Sequence, residues 1–167
     1  KKTANRSSSN IVLFVDEKFN IVNLKKNLLT TEFTYIHDLL KTSDLKKNMF
    51  VFEVNSKKNV VLISIKKDLK SFDIENLGSE FYGRINYGKN SEYYINIDSI
   101  ISKHENFISY FLHGLKLKSY EFNKYKTKKI KRLISINILG NKNKPSTQNQ
   151  LKFKALEEGT FYARDLV

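Results

Sequence analysis

The sequence predicts an α/β fold with three layers, in which a mixed sheet lies between helices. Short runs of β-branched and aromatic residues alternate along the chain with longer segments whose apolar residues recur at helical spacing. Two such runs, residues 49–54 and 60–65, are separated by a short polar connection, which is typical of an antiparallel hairpin. Strands that alternate with helices otherwise pair in parallel, so we expect a mainly parallel sheet with one antiparallel hairpin.

The remaining predicted strands differ in their expected burial. Residues 11–15 form a continuous apolar run, which is typical of a strand buried on both faces. In residues 132–139, Ser135 and Asn137 alternate with isoleucines, as in a strand with one polar face. One further strand is predicted at residues 93–97.

The first helix is predicted at residues 31–41, with Thr30 or Thr31 as its N-cap. Its apolar residues recur on one face, which is expected to be buried: Phe33, Ile36 and Leu40. His37 lies beside this face, where a packed or rim histidine is favoured over a metal ligand.

Two more helices are predicted in the middle of the chain. One is capped by Ser71 and stops near Gly88, and its Gly78 falls on the apolar face, where it would let the helix approach the sheet closely. The next begins at a capping box formed by Ser102 and Glu105. Its apolar face comprises Phe107, Ile108, Phe111, Leu112 and Leu115.

A last helix is predicted after a cap at Ser146 or Thr147. Its apolar residues fall near one stripe: Leu151, Ala155, Tyr162 and Leu166. Because the sequence stops inside this periodic segment, we expect another domain to follow it. In the chain alone the stripe would then be exposed, which predicts concentration-dependent self-association.

The predicted domain organisation has four parts. Residues 1–10 are a polar, flexible lead, and residues 11–140 form the α/β domain. Residues 141–149 contain the only proline and form a linker. Residues 150–167 begin the helix that joins this domain to the missing one.

Composition excludes several classes of protein and site. The sequence has no Cys, so disulfides, thiolate catalysis and Cys-ligated zinc are all excluded. No apolar run approaches the roughly 18 to 20 residues that a membrane span requires. With 40% hydrophobic residues the chain is expected to fold as a cytoplasmic protein without a membrane partner.

The net charge of +13 raises a nucleic-acid hypothesis, although only 4 of the 30 basic residues are Arg. One segment interleaves cations with aromatic residues, as single-strand binding grooves do. This candidate nucleic-acid surface comprises Lys124, Lys126, Lys128, Lys129, Lys131 and Arg132. The favoured alternative is structural. In it, the preceding helix is covered at its end by Tyr120, Phe122 and Tyr125, while the lysines satisfy its last carbonyls and the negative end of its dipole.

No catalytic or metal-binding constellation is expected in this chain. His37, His104 and His113 are not helical neighbours, and we expect His104 and His113 on different helix faces. The sequence lacks a phosphate loop and a nucleophile elbow. Two adjacent carboxylate pairs are interpreted as solvated surface charge: Asp16 with Glu17, and Glu157 with Glu158.

Two motifs nevertheless resemble one known family. Residues 114–129, GLKLKSYEFNKYKTKK, resemble the helix exit of leucyl (cytosol) aminopeptidases. The positions that match in order are Gly114, Leu117, Tyr120, Phe122, Tyr125 and Lys126. Residues 163–167, Ala-Arg-Asp-Leu-Val, include Arg164 and Asp165 and are similar to the helix that joins the two domains of that family.

The resemblance implies that this chain is the N-terminal domain of such an enzyme, with a fold similar to macro domains. The parent would remove N-terminal residues from peptides with two divalent metal ions, Zn or Mn, held by a C-terminal domain that this chain lacks. It also implies a hexamer to which this domain contributes. Some bacterial members bind DNA, so a basic DNA-binding module remains the alternative. The macro-like fold also raises ADP-ribose binding, for which the expected glycine-rich loops are missing.

Overall fold

The computed structural model describes residues 9–86, 92–121 and 134–166, which fall into two compact units. The first unit comprises Lys1–Leu69, Asn90–Lys103 and Ile134–Lys142. The second comprises Lys70–Lys89, His104–Leu133 and Asn143–Val167. No helix in the described ranges is long and apolar enough to cross a membrane.

The first unit contains a five-stranded sheet and helix α1, Thr30–Thr42. Its strands are β1 (Asn10–Asp16), β2 (Met49–Asn55), β3 (Lys58–Ile65), β4 (Glu92–Asn96) and β5 (Ser135–Leu139). Their order across the sheet is β2-β3-β1-β4-β5. Among the strands of the described residues, only the β2–β3 pair is antiparallel. This confirms the predicted α/β fold, with a mainly parallel sheet and one hairpin.

Strand β1 is the central strand, and all but its last residue are buried. Asn10 belongs to this strand, so its assignment to the flexible lead was wrong. Its side-chain oxygen accepts a 2.8 Å hydrogen bond from the Asn59 N–H, and its side-chain nitrogen donates one of 2.8 Å to the Glu92 carbonyl. One amide thus joins the strands on both sides. Residues 1–8 of the predicted lead lie outside the described residues.

The hairpin between β2 and β3 turns on two residues, Ser56 and Lys57, and is tighter than predicted. The reason is that Asn55 and Lys58 continue the strand pairing, after a register shift that follows Glu53. The Asn55 side chain accepts a 2.8 Å hydrogen bond from the Lys57 N–H, which closes the turn locally.

A buried ion pair joins β3 to α1. Lys58 Nζ lies 2.7 Å and 2.9 Å from the two carboxylate oxygens of Glu32, and only 2% and 4% of these two side chains are exposed. The Glu32 carboxylate also accepts a 3.1 Å hydrogen bond from the Leu29 N–H. The helix is therefore capped at Leu29 through Glu32, and the predicted caps Thr30 and Thr31 were wrong.

The end of β5 is anchored by Asp98. The Asp98 carboxylate accepts hydrogen bonds from the backbone N–H groups of Lys142 (2.8 Å) and Asn141 (3.0 Å). These bonds lower the pKa of Asp98 below its usual range, and the bond from Lys142 has the largest effect. Gly140 precedes them with φ of 110°, and a Cβ there would meet the Asp98 carboxyl group. The first residues of the predicted linker are thus fixed in this unit.

In the second unit the described residues form three helices: α2 (Ser71–Ile85), α3 (Phe107–Lys118) and α4 (Thr147–Asp165). Helices α2 and α3 are antiparallel and in backbone contact, since Gly78 faces the Phe111 carbonyl and Gly114 faces Glu75. Gly78 was predicted to allow close approach to the sheet, but the nearest atoms to its missing Cβ belong to α3. Phe81 and Phe111 pack beside this contact with ring centroids 5.7 Å apart.

The helix starts differ from the sequence prediction at two positions. The N-cap of α2 is Lys70, one residue before Ser71, because the Asp73 carboxylate accepts a 2.9 Å hydrogen bond from the Lys70 N–H. Helix α3 begins after Asn106, which has φ of 65°, so the predicted capping box at Ser102 and Glu105 does not start it.

Two other expected helix boundaries can be compared with the structure. The predicted cap of α4 at Ser146 is confirmed, since its hydroxyl accepts a 3.1 Å hydrogen bond from the Asn149 N–H. Helix α2 ends at Ile85, with Asn86 as its C-cap. The predicted stop at Gly88 lies outside the described residues, as do residues 132 and 133 of the last predicted strand.

Candidate domain junction at the ends of α3 and α4

The two aminopeptidase-like motifs contact each other. Tyr120, just after α3, donates a 2.6 Å hydrogen bond to Oδ1 of Asp165, the last residue of α4. Its ring stacks on Phe161 with centroids 5.1 Å apart. Segments that are 45 residues apart in sequence therefore meet through their own motif side chains.

Arg164 makes a second connection between the same segments. Its guanidinium donates a 3.1 Å hydrogen bond to the Leu117 carbonyl, which lies in the last turn of α3. The guanidinium also lies 5.4 Å from the centroid of the Tyr120 ring. A cation suits this place because the last carbonyls of a helix are unpaired and carry partial negative charge. We call these five residues the junction cluster: Leu117, Tyr120, Phe161, Arg164 and Asp165.

The junction cluster perturbs the ionisation of Tyr120. The hydrogen bond to Asp165, together with partial burial and the nearby negative charge, raises the pKa of the Tyr120 hydroxyl above 10.0. Arg164 acts in the opposite direction but does not reverse the shift. The arrangement therefore favours the neutral form of Tyr120, which donates its hydroxyl hydrogen to Asp165.

A seam of contacts runs from the start of α3 to the junction cluster. Asn149 donates a 2.6 Å hydrogen bond to the Asn106 side chain at one end. In the middle, the Phe153 ring lies 4.6 Å from the His113 ring and 5.1 Å from that of Tyr110. Later residues of α4 meet later residues of α3, so the two helices run parallel.

His113 and Glu157 form a polar pair within this seam. His113 Nδ1 lies 3.1 Å from Glu157 Oε1, and the two side chains are only 8% and 17% exposed. The interpretation of Glu157 as solvated surface charge was therefore wrong, because α4 turns it towards α3. Glu158 is 69% exposed beside Lys154, as expected for a solvated carboxylate.

Gly114 has a structural role that its place in the motif did not explain. A Cβ at Gly114 would overlap the backbone of Glu75 on α2. The residue therefore allows α2 and α3 to approach closely, one turn before Leu117. The motif combines a helix contact at one end with the junction cluster at the other.

Several predicted site residues lie outside the described residues. These are Phe122, Tyr125 and Lys126 of the first motif and the whole candidate nucleic-acid surface of Lys124, Lys126, Lys128, Lys129, Lys131 and Arg132. The structure therefore gives the nucleic-acid hypothesis no support. Of the aromatic residues expected to cover the end of α3, Tyr120 is described, and it is half-buried in the junction cluster.

The histidines do not assemble into a metal site in the described part of the chain. There, no group of three or more His, Asp or Glu side chains is arranged to hold a metal ion. His37 is a rim residue, 48% exposed and stacked on Phe33. His104 precedes α3, so its prediction on a helix face was wrong, and its ring nitrogen lies 3.2 Å from the Ser71 hydroxyl.

Comparison with known proteins identifies the fold. No family model and no curated protein matches the sequence. Among solved structures, a mutant of tomato leucine aminopeptidase matches with a TM-score of 0.62 and 18% identity, over 94% of this chain and 34% of that one. The bottromycin maturation enzyme BotP matches with a TM-score of 0.64 and 10% identity, over 96% of this chain and 32% of that one.

A second structure of BotP, in complex with Mn, has a TM-score of 0.63 at the same identity and coverage. The chain thus spans about a third of the length of these structures. The chain has the fold of a segment of leucine aminopeptidase and BotP, in agreement with the family that its motifs resemble.

Proposed function

We propose that this chain is the non-catalytic N-terminal domain of a leucine aminopeptidase-like exopeptidase whose parent removes N-terminal amino acids from peptides. The observation that carries the proposal is the Tyr120–Asp165 contact, in which the two motifs of the family meet within a fold found in leucine aminopeptidase. Neither motif alone would be specific. Their contact explains why both are present in one domain.

The junction cluster suits a role in positioning a following domain. Asp165 and Arg164 occupy the last turn of α4, and both are held to the exit of α3. This double attachment fixes the direction in which the chain leaves the helix. A catalytic domain that followed would thereby be oriented by side chains of this one.

The chemistry of the parent belongs to that other domain. Two divalent metal ions, Zn or Mn, would bind the free amine of the peptide and polarise the scissile carbonyl there. The role that we propose for this chain is assembly and support of that domain. A hexameric, cytoplasmic parent with its own catalytic domain and peptide substrate as partners is part of the same proposal.

The experiment compares the natural full-length polypeptide with the 167-residue chain. Both are assayed with leucine p-nitroanilide in Mn²⁺ or Zn²⁺, and N-acetyl-leucine p-nitroanilide serves as the blocked control. We expect the full-length protein to cleave only the free-amine substrate, to lose activity with a chelator, and to exceed the isolated chain by several orders of magnitude. An inactive full-length protein would contradict the proposal.

A second arm tests the role of the junction cluster. In the full-length protein, Arg164→Ala should weaken the attachment of α4 to α3 and so reduce activity or assembly. Arg84→Ala is the matched control, since Arg84 lies at the surface of α2, where its guanidinium is 3.6 Å from the Glu80 carboxylate. Equal effects of the two substitutions would show that the junction does not position the catalytic domain.

A further inference from the structure

The outer face of α4 is an exposed apolar surface, and we propose that it binds the same face of a second copy in antiparallel orientation. Its large side chains are exposed at 64% for Leu151, 68% for Tyr162 and 69% for Leu166. Ala155 and Gly159 lie between them and are exposed as well. We call these five residues the α4 stripe.

The α4 stripe is distinct from the seam that holds α4 to α3. Its residues are spaced by three or four positions, which keeps them on one side of a helix that turns about 100° per residue. Phe153 and Glu157, which contact α3, fall on the opposite side of the helix. The stripe is therefore turned away from the contacts that hold the helix in place.

The order of residues in the stripe is symmetric about its centre. Leu151 and Leu166 are equally distant from the point between Glu158 and Gly159, and so are Ala155 and Tyr162. An antiparallel two-fold contact would place Leu151 against Leu166 of the second copy and the small Ala155 against its large Tyr162. Large and small side chains then interdigitate, as close packing requires.

Gly159 lies at the centre of this contact. No heavy atom lies within 4 Å of the position that its Cβ would occupy. A glycine at the crossing point reduces the separation at which two helices can pack, since that distance is set by the side chains between them.

Charge favours the antiparallel over the parallel arrangement. Lys154 and Asp165 lie on the same flank of the stripe, about three helical turns apart. Antiparallel pairing brings Lys154 near Asp165 of the second copy. In-register parallel pairing would instead place Tyr162 against Tyr162 and leave Lys154 and Asp165 of the two copies on opposite edges of the contact. The two Glu158 side chains approach each other near the two-fold axis, and each lies 3.8 Å from its own Lys154, which offsets their repulsion.

The contact is small, so the dimer should be weak and reversible. The 19 residues of α4 extend over roughly 28 Å. The area that one helix face of this length can bury lies below about 1,200 Å², in the range of short-lived complexes. The inference concerns the 167-residue chain and uses only the exposed residues of α4, so cross-linking of this chain tests it separately from the peptidase proposal.

Cysteine cross-linking tests the arrangement, because the sequence contains no Cys. Gly159→Cys should form a disulfide-linked dimer under mild oxidation, at a rate that rises with protein concentration. Val22→Cys is the matched control, since Val22 is 57% exposed and belongs to the other unit. We expect at least a tenfold faster cross-link for Gly159→Cys.

Mixing two cysteine variants, one of which carries an added mass tag, then fixes the orientation. Leu151→Cys mixed with Leu166→Cys should give mainly the mixed dimer, whereas Leu151→Cys alone should give little. Both residues are largely exposed, so neither change should disturb the fold, which circular dichroism checks. Equal cross-linking rates for Gly159→Cys and Val22→Cys would overturn the proposal that the α4 stripe binds a second copy. A predominance of the Leu151→Cys homodimer would overturn the antiparallel arrangement.

Discussion

Tyr120 donates a 2.6 Å hydrogen bond to Asp165 and so connects the exit of α3 to the last turn of α4. The pair unites two short motifs that in the sequence are independent signals. It is reinforced by Arg164, which binds the Leu117 carbonyl. The attachment of the end of α4 therefore depends on a few exposed or half-buried polar groups, which makes it accessible to mutation.

We expect Tyr120→Phe to loosen the C-terminal half of α4 without unfolding the domain. The change removes the hydrogen bond from the Tyr120 hydroxyl to the Asp165 carboxylate and leaves the ring contact with Phe161 in place. Hydrogen exchange should accelerate severalfold in amides near Asp165 and remain unchanged near Phe153. Tyr162→Phe is the control, because Tyr162 is 68% exposed and lies outside the junction cluster. Unchanged exchange in Tyr120→Phe would show that the hydrogen bond does not hold the helix.

The raised pKa of Tyr120 predicts a dependence on alkaline pH. A folded-state pKa above the unfolded value of 10.0 stabilises the fold fully below pH 10, and this contribution is lost as pH rises through the folded pKa. The wild type should therefore lose more stability than Tyr120→Phe above pH 10. Denaturation at pH 9 and pH 11 measures the loss of stability in each protein. Identical losses in the wild type and in Tyr120→Phe would contradict the prediction.

Gly114→Ala should destabilise the domain by at least about 1–3 kcal/mol, because the added methyl group would overlap the backbone of Glu75. Gly83→Ala in α2 is the matched control. Nothing lies within 4 Å of the Cβ position at Gly83, so alanine there should stabilise the helix by about 0.5–1 kcal/mol. Thermal unfolding of both variants should give shifts of opposite sign. A neutral Gly114→Ala would mean that α2 and α3 can separate at little cost.

Lys58→Met should destabilise the first unit by about 3–5 kcal/mol, because it leaves the Glu32 carboxylate buried without its cation. Lys57→Met, at the exposed hairpin turn, should change stability by less than about 0.5 kcal/mol. The double change Glu32→Met with Lys58→Met should recover part of the loss. Recovery should be incomplete, because Glu32 also accepts the Leu29 N–H. Urea denaturation compares the four proteins, and equal stability of the two lysine variants would contradict the burial of the pair.

Local pattern was sufficient to predict the elements of the fold. The apolar run in β1, the hairpin and the helical spacing of α2 each reflect burial that recurs within a few residues. The caps at Thr30 and Ser71 were wrong for a common reason, whereas Ser102 was wrong because α3 begins only after Asn106. A hydroxyl is one of several groups that can satisfy the first N–H groups of a helix, and in α1 and α2 a carboxylate three residues later bonds the capping residue.

The contacts that form the candidate site could not be predicted from pattern alone. Tyr120 meets Asp165 because α3 and α4 pack in parallel, and nothing local in either segment encodes that register. Glu32 and Lys58 are 26 residues apart and each appears as an ordinary surface charge in the sequence. Gly78 was identified as a close contact, but its partner depended on the packing of α2 against α3. The family resemblance selected the right segments without showing that they touch.

The mass of the native protein tests the central claim most directly. An antibody against this 19.6 kDa chain, followed by mass spectrometry of the captured polypeptide, reports whether the domain exists within a longer enzyme. The proposal predicts a protein about three times as large, with peptides from a following domain that carries carboxylate metal ligands and the catalytic lysine and arginine. A native protein of 19.6 kDa would contradict it.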